Sequence, residues 1–223
     1  MHHTKLFHFW LLGLGLILAA LGIFDTVGSA RAEKTYPSLF NTIESQSQRL
    51  QPFQKWNGML ERQVNERALY DGSCTAKRFN RCHLQEWRVL LATLAGKDRK
   101  TQLAAVNEFM NRASYIEDLP NWGVPDYWAT PLQFLTKDGD CEDYAIAKFV
   151  SLRTLGFTND ELRIAVVDDA NLQQPHAVLV VYMDDQALVL DNQIPQIVPS
   201  SLIKHYKPIY SINEDTWWLH TAR

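Results

Sequence analysis

The chain has few cysteines, no surplus of positive charge, no internal repeat and no low-complexity tract. Without repeats it is not a solenoid or an array, and without biased tracts it is not a disordered linker. Basic side chains number 22 against 25 acidic ones, a net charge of −3, so nothing in the charge balance points to a nucleic-acid partner. Three cysteines allow at most one disulfide and leave one thiol over. At 223 residues the chain is long enough to bury its own core without a second domain.

The long apolar stretch that is present lies at the start. Residues 1–32 contain Lys5, an apolar run from Phe7 to Phe24, and the small-residue sequence Gly28-Ser29-Ala30-Arg31-Ala32. This reads as a secretory signal cut after Ala30 or Ala32. An uncleaved anchor is the alternative, because the run is about 18 residues long. Either way the folded part, residues 33–223, is expected outside the cytosol. In an oxidising compartment Cys74 and Cys82, which flank the polar loop from Thr75 to Arg81, are the natural disulfide pair. Cys141 is then the free thiol, and it is an oxidation liability unless it has a use.

The hydrophobic period changes once along the chain. Residues 36–47 are polar and of uncertain structure. Apolar residues at three- and four-residue spacing predict helices over 54–69, 83–94 and 99–114. An aromatic, turn-rich loop from Asn121 to Pro131 leads into a short helix over 131–135, with Thr130 capping and Pro131 at the first position. A longer helix starts at Cys141, runs to about Leu155 and stops at Gly156. Strands are then expected over 162–167, 176–182 and 187–190, with Asp184-Asp185-Gln186 as a tight turn, and over 209–213 and 216–220 as a closing hairpin. Helices followed by an antiparallel sheet make an α+β domain.

Chemistry concentrates at Gly139-Asp140-Cys141-Glu142-Asp143. Backbone N–H groups and the macrodipole at a helix N-terminus favour a thiolate, but the neighbouring carboxylates oppose it. Two things offset that field. One is a protonated His176, which stabilises the thiolate and later serves as general acid. The other is a bound cation, since carboxylates crowded beside a glycine are hard oxygen ligands of the kind calcium prefers. His176 opens one strand and Asp191 closes the next, so Asp191 is placed to accept the second imidazole N–H. The N–H of Cys141 is one candidate oxyanion donor, with the Trp128 indole or a side-chain amide as the second. Taken singly, each of these residues has an ordinary structural reading: a buried cysteine, a sheet histidine, a strand-end aspartate. Their joint order, Cys then His then Asp, favours nucleophilic catalysis.

Several segments together resemble the bacterial transglutaminase-like cysteine proteases of the LapG type. They are Asp126-Tyr127-Trp128-Ala129-Thr130-Pro131, Gly139 to Ala145, Lys148, Leu152 to Gly156, His176 to Leu179 and Leu190-Asp191-Asn192. The resemblance covers about residues 40–220. It implies a papain-like, transglutaminase-like core of N-terminal helices packed on an antiparallel β-sheet, with Cys141, His176 and Asp191 as catalytic triad. It implies calcium as cofactor, with Asp140 and Glu142 as ligands and Asp118 near the place of a third. It further implies a periplasmic enzyme that cuts a large surface adhesin near its N-terminal end at a di-alanine site, controlling biofilm. The partner it implies is the periplasmic domain of an inner-membrane cyclic di-GMP receptor, which holds such enzymes inactive. Two other classes stay open at this point: a different acyl-transfer enzyme on the same core, such as a transglutaminase or cell-wall amidase, and a non-catalytic calcium- or protein-binding module.

Overall fold

The expected helices form where they are described, with residues 67–69 of the first outside the described residues, and each buries most of its apolar stripe, although Val64 on the first is exposed. The computed structural model describes residues 36–66 and 81–223. Helix α1 (Gln54–Glu66) buries Trp56 and Met59, and α2 (Arg81–Leu94) buries Leu84, Trp87, Leu91 and Leu94. Helix α3 (Arg99–Met110) starts at Asp98, whose carboxylate accepts the Thr101 N–H at 3.0 Å, and buries Leu103, Val106 and Met110. The short α4 (Asp118–Trp122) precedes α5 (Pro131–Lys137), which opens in a reciprocal capping box between Thr130 and Gln133. Helix α6 (Cys141–Thr154) is buried around most of its circumference, from Glu142 through Phe149 and again at Ser151 and Leu152. A helix buried all round belongs at the centre of a fold, and α6 packs against α3, α5, β2 and β3.

The strands are β1 (Ile43–Ser47), β2 (Leu162–Asp169), β3 (Gln174–Met183), β4 (Gln186–Leu190), β5 (Val198–Pro199), β6 (Tyr206–Ile212) and β7 (Trp217–Thr221). They form one antiparallel sheet in the order β1-β7-β6-β2-β3-β4-β5. The period-2 alternation of β2 and β3 divides their side chains between two cores. Leu162, Ile164, Leu179 and Val181 face the helices and meet Phe149, Leu152 and Trp56. Ala165, Val167, Val178, Val180 and Tyr182 face the other way, under Leu39, Ile203 and Tyr206. Trp56 pins α1 into the first core, edge-on to Phe149 at 5.6 Å, and its indole N–H donates to the Asn213 carbonyl at 2.9 Å. Truncating so large a buried side chain costs about 3–5 kcal/mol.

Several boundaries differ from the sequence reading, each for a local reason. Residues 43–47 are an edge strand: their pattern is too polar to announce it, and pairing with β7 supplies what periodicity lacks. Helix α3 stops at Met110 rather than 114, because Asn111 leaves the helix and gives its side-chain amide to the Asp191 carbonyl at 2.7 Å. Residues 118–122, which lack any apolar stripe, are helical and end on Gly123 at φ 75°. The β3–β4 turn has Asp184 and Asp185 at φ 52° and 57°, the paired left-handed conformation that a two-residue hairpin requires. No helix among the described residues is long and apolar enough to cross a membrane. The leader at 1–32 and Cys74 lie outside the described residues, as does the side chain of Cys82, and with them the expected disulfide.

Candidate active site

Three backbone devices bring the chemistry together. The first is the tight entry to α6. Tyr115 and Gly139 form an isolated parallel bridge, and the Ile116 N–H donates to the Gly139 carbonyl at 2.9 Å. A Cβ on Gly139 would fall 2.1 Å from Asp143 Oδ2, so only glycine lets the chain pass the first turn of the helix. The second is the β3–β4 hairpin, which carries His176 at one end and Asp191 at the other. The third is the loop from Asp118 to Ala129, which lies over the start of α6: the Tyr127 N–H donates to Asp118 Oδ2 and the Ala129 N–H to Asp143 Oδ1, the latter at 2.6 Å.

Cys141 and His176 line one cleft of about 620 Å3, together with Asp118, Asp140, Glu142 and Gln193. His176 is buried and its Nε2 lies 2.9 Å from Asp191 Oδ1. Asp191 is held from three further sides. The Tyr206 hydroxyl donates to Oδ2 at 2.6 Å, the Gln193 N–H to Oδ1 at 2.9 Å, and Asn111 holds its carbonyl. Burial alone would push the Asp191 carboxyl up, but the His176 and Tyr206 bonds outweigh it and leave the group below the usual aspartate range. The Cys141 thiol donates to Glu142 Oε2 at 3.2 Å. Burial pushes this thiol well up, as do the charge of Glu142 and that of Asp140, and the Ala177 backbone N–H works the other way without offsetting them. The carboxylates that flank Cys141 in the sequence thus stand against its thiol in the fold as well.

The acids form a single crowd. One oxygen each from Asp118, Asp140 and Asp143 lie within 4.8 Å of one another, and so do oxygens of Asp118, Asp126 and Glu142. Asp118 Oδ1, Asp140 Oδ1 and Asp143 Oδ2 are buried without a hydrogen-bond partner. Burial and mutual repulsion raise Asp118, Glu142 and Asp143 above the usual carboxylate range, and Asp140 to about 8. Orphaned, mutually repelling carboxylate oxygens at this spacing fit a hard divalent cation. Of the sequence candidates, Asp118 and Asp140 share one of these groups, and Asp118 and Glu142 the other. Asp126 and Asp143 were missed, although the carboxylates at 126 and 143 stood within the same two motifs.

Other neighbours were also missed. Tyr206 and Asn111 come from distant elements and leave no local signal. Gln193 does have one: in the register that pairs Leu179 with Leu190, the position opposite His176 is 193. Trp128 lines the cleft but is largely buried, edge-on to Trp56 at 6.2 Å, and its carbonyl accepts from Arg62 at 2.7 Å.

Solved structures resemble the chain as a whole. A comparison with curated proteins gives no match. Calcium-bound LapG from Legionella pneumophila is 34% identical over 72% of this chain and 87% of its own, with a TM-score of 0.59. The EGTA-treated form of the same protein is 33% identical, covers 74% of this chain and 87% of its own, and gives 0.60. Residues 63–221 match the family model of the bacterial transglutaminase-like cysteine proteinases. The α+β transglutaminase-like fold, the placement of Cys141 at the head of α6 and the extent of these matches lead to one conclusion: the chain belongs to the bacterial transglutaminase-like cysteine proteinase family.

Proposed function

We propose that this chain is a calcium-dependent cysteine endopeptidase of the periplasm that cleaves the N-terminal region of a large surface adhesin, with Cys141, His176 and Asp191 as its triad. The observation that carries the catalytic part is the meeting, in one cleft, of a helix-start thiol with a buried imidazole whose Nε2 faces an aspartate. With Nε2–H directed at Asp191, Nδ1 is the nitrogen left to accept a proton. Cys141 gives its proton to His176, and the thiolate attacks the scissile carbonyl. The imidazolium then protonates the leaving amine, and water releases the acyl group from sulfur with His176 again acting as base. The Cys141 N–H, at the first position of α6 and without an intrahelical acceptor, is aimed to bind the oxyanion.

Asp118, Asp140, Glu142 and Asp143 would hold calcium, with Asp126 at the rim. Bound there, the ion supplies positive charge beside the thiol. The LapG relative seen in calcium-bound form supports this reading. The adhesin substrate, its role in biofilm, the periplasmic site and a regulatory receptor domain rest on the family resemblance.

Incubating the purified protein with the N-terminal fragment of a candidate adhesin tests the proposal. Cleavage is expected only with calcium and only with Cys141 intact. A Cys141→Ala protein that still cuts, or wild type indifferent to a chelator, would refute it. Incorporation of an amine without peptide cleavage would instead assign a transglutaminase-type acyl transfer.

A further inference from the structure

Gln193 touches both members of the His176–Asp191 pair. Its backbone N–H donates to Asp191 Oδ1 at 2.9 Å, the same oxygen that faces His176 Nε2. Its side-chain amide nitrogen lies 3.3 Å from His176 Nδ1. Since Nε2–H points at Asp191, Nδ1 is the bare nitrogen and accepts from the amide. That is the nitrogen which must take the thiol proton. The thiol is meanwhile turned to Glu142, at 3.2 Å. Nucleophile and base are thus each engaged with a different partner.

The Gln193 side chain is not held there by packing. The residue is exposed and lies on the rim of the cleft, whereas the imidazole beneath it is buried. A peptide settling into the cleft meets Gln193 before it meets His176. We propose that Gln193 is a positioning residue that caps the proton-accepting nitrogen of His176 in the resting site and yields it to Cys141 when substrate fills the cleft. This rests on the triad reading above. The groups facing His176 from the packed elements are Asp191, Tyr206 from β6, and Cys141 with Glu142 from α6. None of these is altered by changing the Gln193 side chain, and the backbone N–H that holds Asp191 stays in place.

The test is the rate at which iodoacetamide alkylates Cys141 as a function of pH, in the purified protein with calcium. Gln193→Met keeps the length of the side chain and removes the N–H. With the competing bond gone, alkylation at pH 7 is expected to be about fivefold faster. Gln193→Glu puts an anion against Nδ1, so the imidazolium is expected to keep its proton about one pH unit higher, moving the upper midpoint of the profile by that amount. A merely structural role leaves the Gln193→Met rate at the wild-type value, whereas the charge of a nearby Glu shifts the midpoint in any case, so the Met variant decides the role and the Glu variant checks the proximity. A wild-type rate in Gln193→Met, or a wild-type midpoint in Gln193→Glu, overturns the proposal. His176→Ala separates the two levels of inference. If alkylation is indifferent to His176, the triad reading itself fails. If it falls in His176→Ala while Gln193→Met matches wild type, the triad stands and the cap does not.

Discussion

Tyr206→Phe removes one oxygen and leaves the ring that stacks beside His176, at 5.5 Å between centroids, in place. What is lost is the 2.6 Å hydrogen bond to Asp191 Oδ2. The acceptor is an ionised, buried carboxylate, and bonds of that kind contribute about 1.5–3 kcal/mol. In a domain of this size each kcal/mol moves Tm by about 2–4 °C, so the melting point should fall by about 3–12 °C. If the same loss is felt in full in the transition state, kcat falls about tenfold to 150-fold. The sign of the pH dependence also follows. Asp191 is held below its usual value of 3.8, so its contribution is present above that value and disappears as pH falls through the depressed one. The gap between wild type and Tyr206→Phe should therefore be full at pH 7 and narrow below about pH 3.8. Calorimetric melts at several pH values, with peptide cleavage measured in parallel, check both parts. A Tyr206→Phe protein that melts within about 1 °C of wild type at pH 7 would refute the claim that the hydroxyl stabilises the Asp191 carboxylate.

Calcium at one hundred times its Kd should stabilise the fold by about 2.7 kcal/mol and release protons on binding near pH 7, because Asp140 otherwise titrates at about 8; calorimetry in buffers of different ionisation enthalpy reads this, and Asp118→Asn should weaken both effects. Lys148 is fully buried, its Nζ has no hydrogen-bond partner, and burial lowers it to about 7. A lowered amine makes the folded state lose stability as pH falls from about 10.5 to 7, so Lys148→Met should raise Tm more at pH 6 than at pH 10. Gly139→Ala drives a methyl group into Asp143 and should abolish both calcium binding and activity, while more distant packing survives in near-ultraviolet circular dichroism.

The helices and the central strands were legible because their residues carry the period of the structure they adopt: Leu103, Val106 and Met110 on α3, or the apolar run of β3. The His176–Asp191 contact and the shared cleft of His176 and Cys141 were legible because a short hairpin and a helix start are local features of the chain. Tyr206 and Asn111 were not, since a hydroxyl and an amide from β6 and α3 reach Asp191 only after the sheet and helices have closed. The second half of the acidic cluster was hidden for a related reason. Asp126 lies in a loop with no periodic pattern, and that loop is folded over the head of α6 by contacts made only in the tertiary structure, among them the backbone bonds at Tyr127 and Ala129. Residues 43–47 show the same limit in the sheet, because an edge strand takes its identity from its neighbour β7 rather than from its own composition.

Helix α6 is enclosed along its sides and open at its first turn. The sulfur is therefore presented at the end of a post packed along its sides, and contact with a substrate falls to the segments lining the cleft around it, residues 115–128 and 192–193. Whatever fills the cleft between those segments covers the sulfur without distorting the post that carries it.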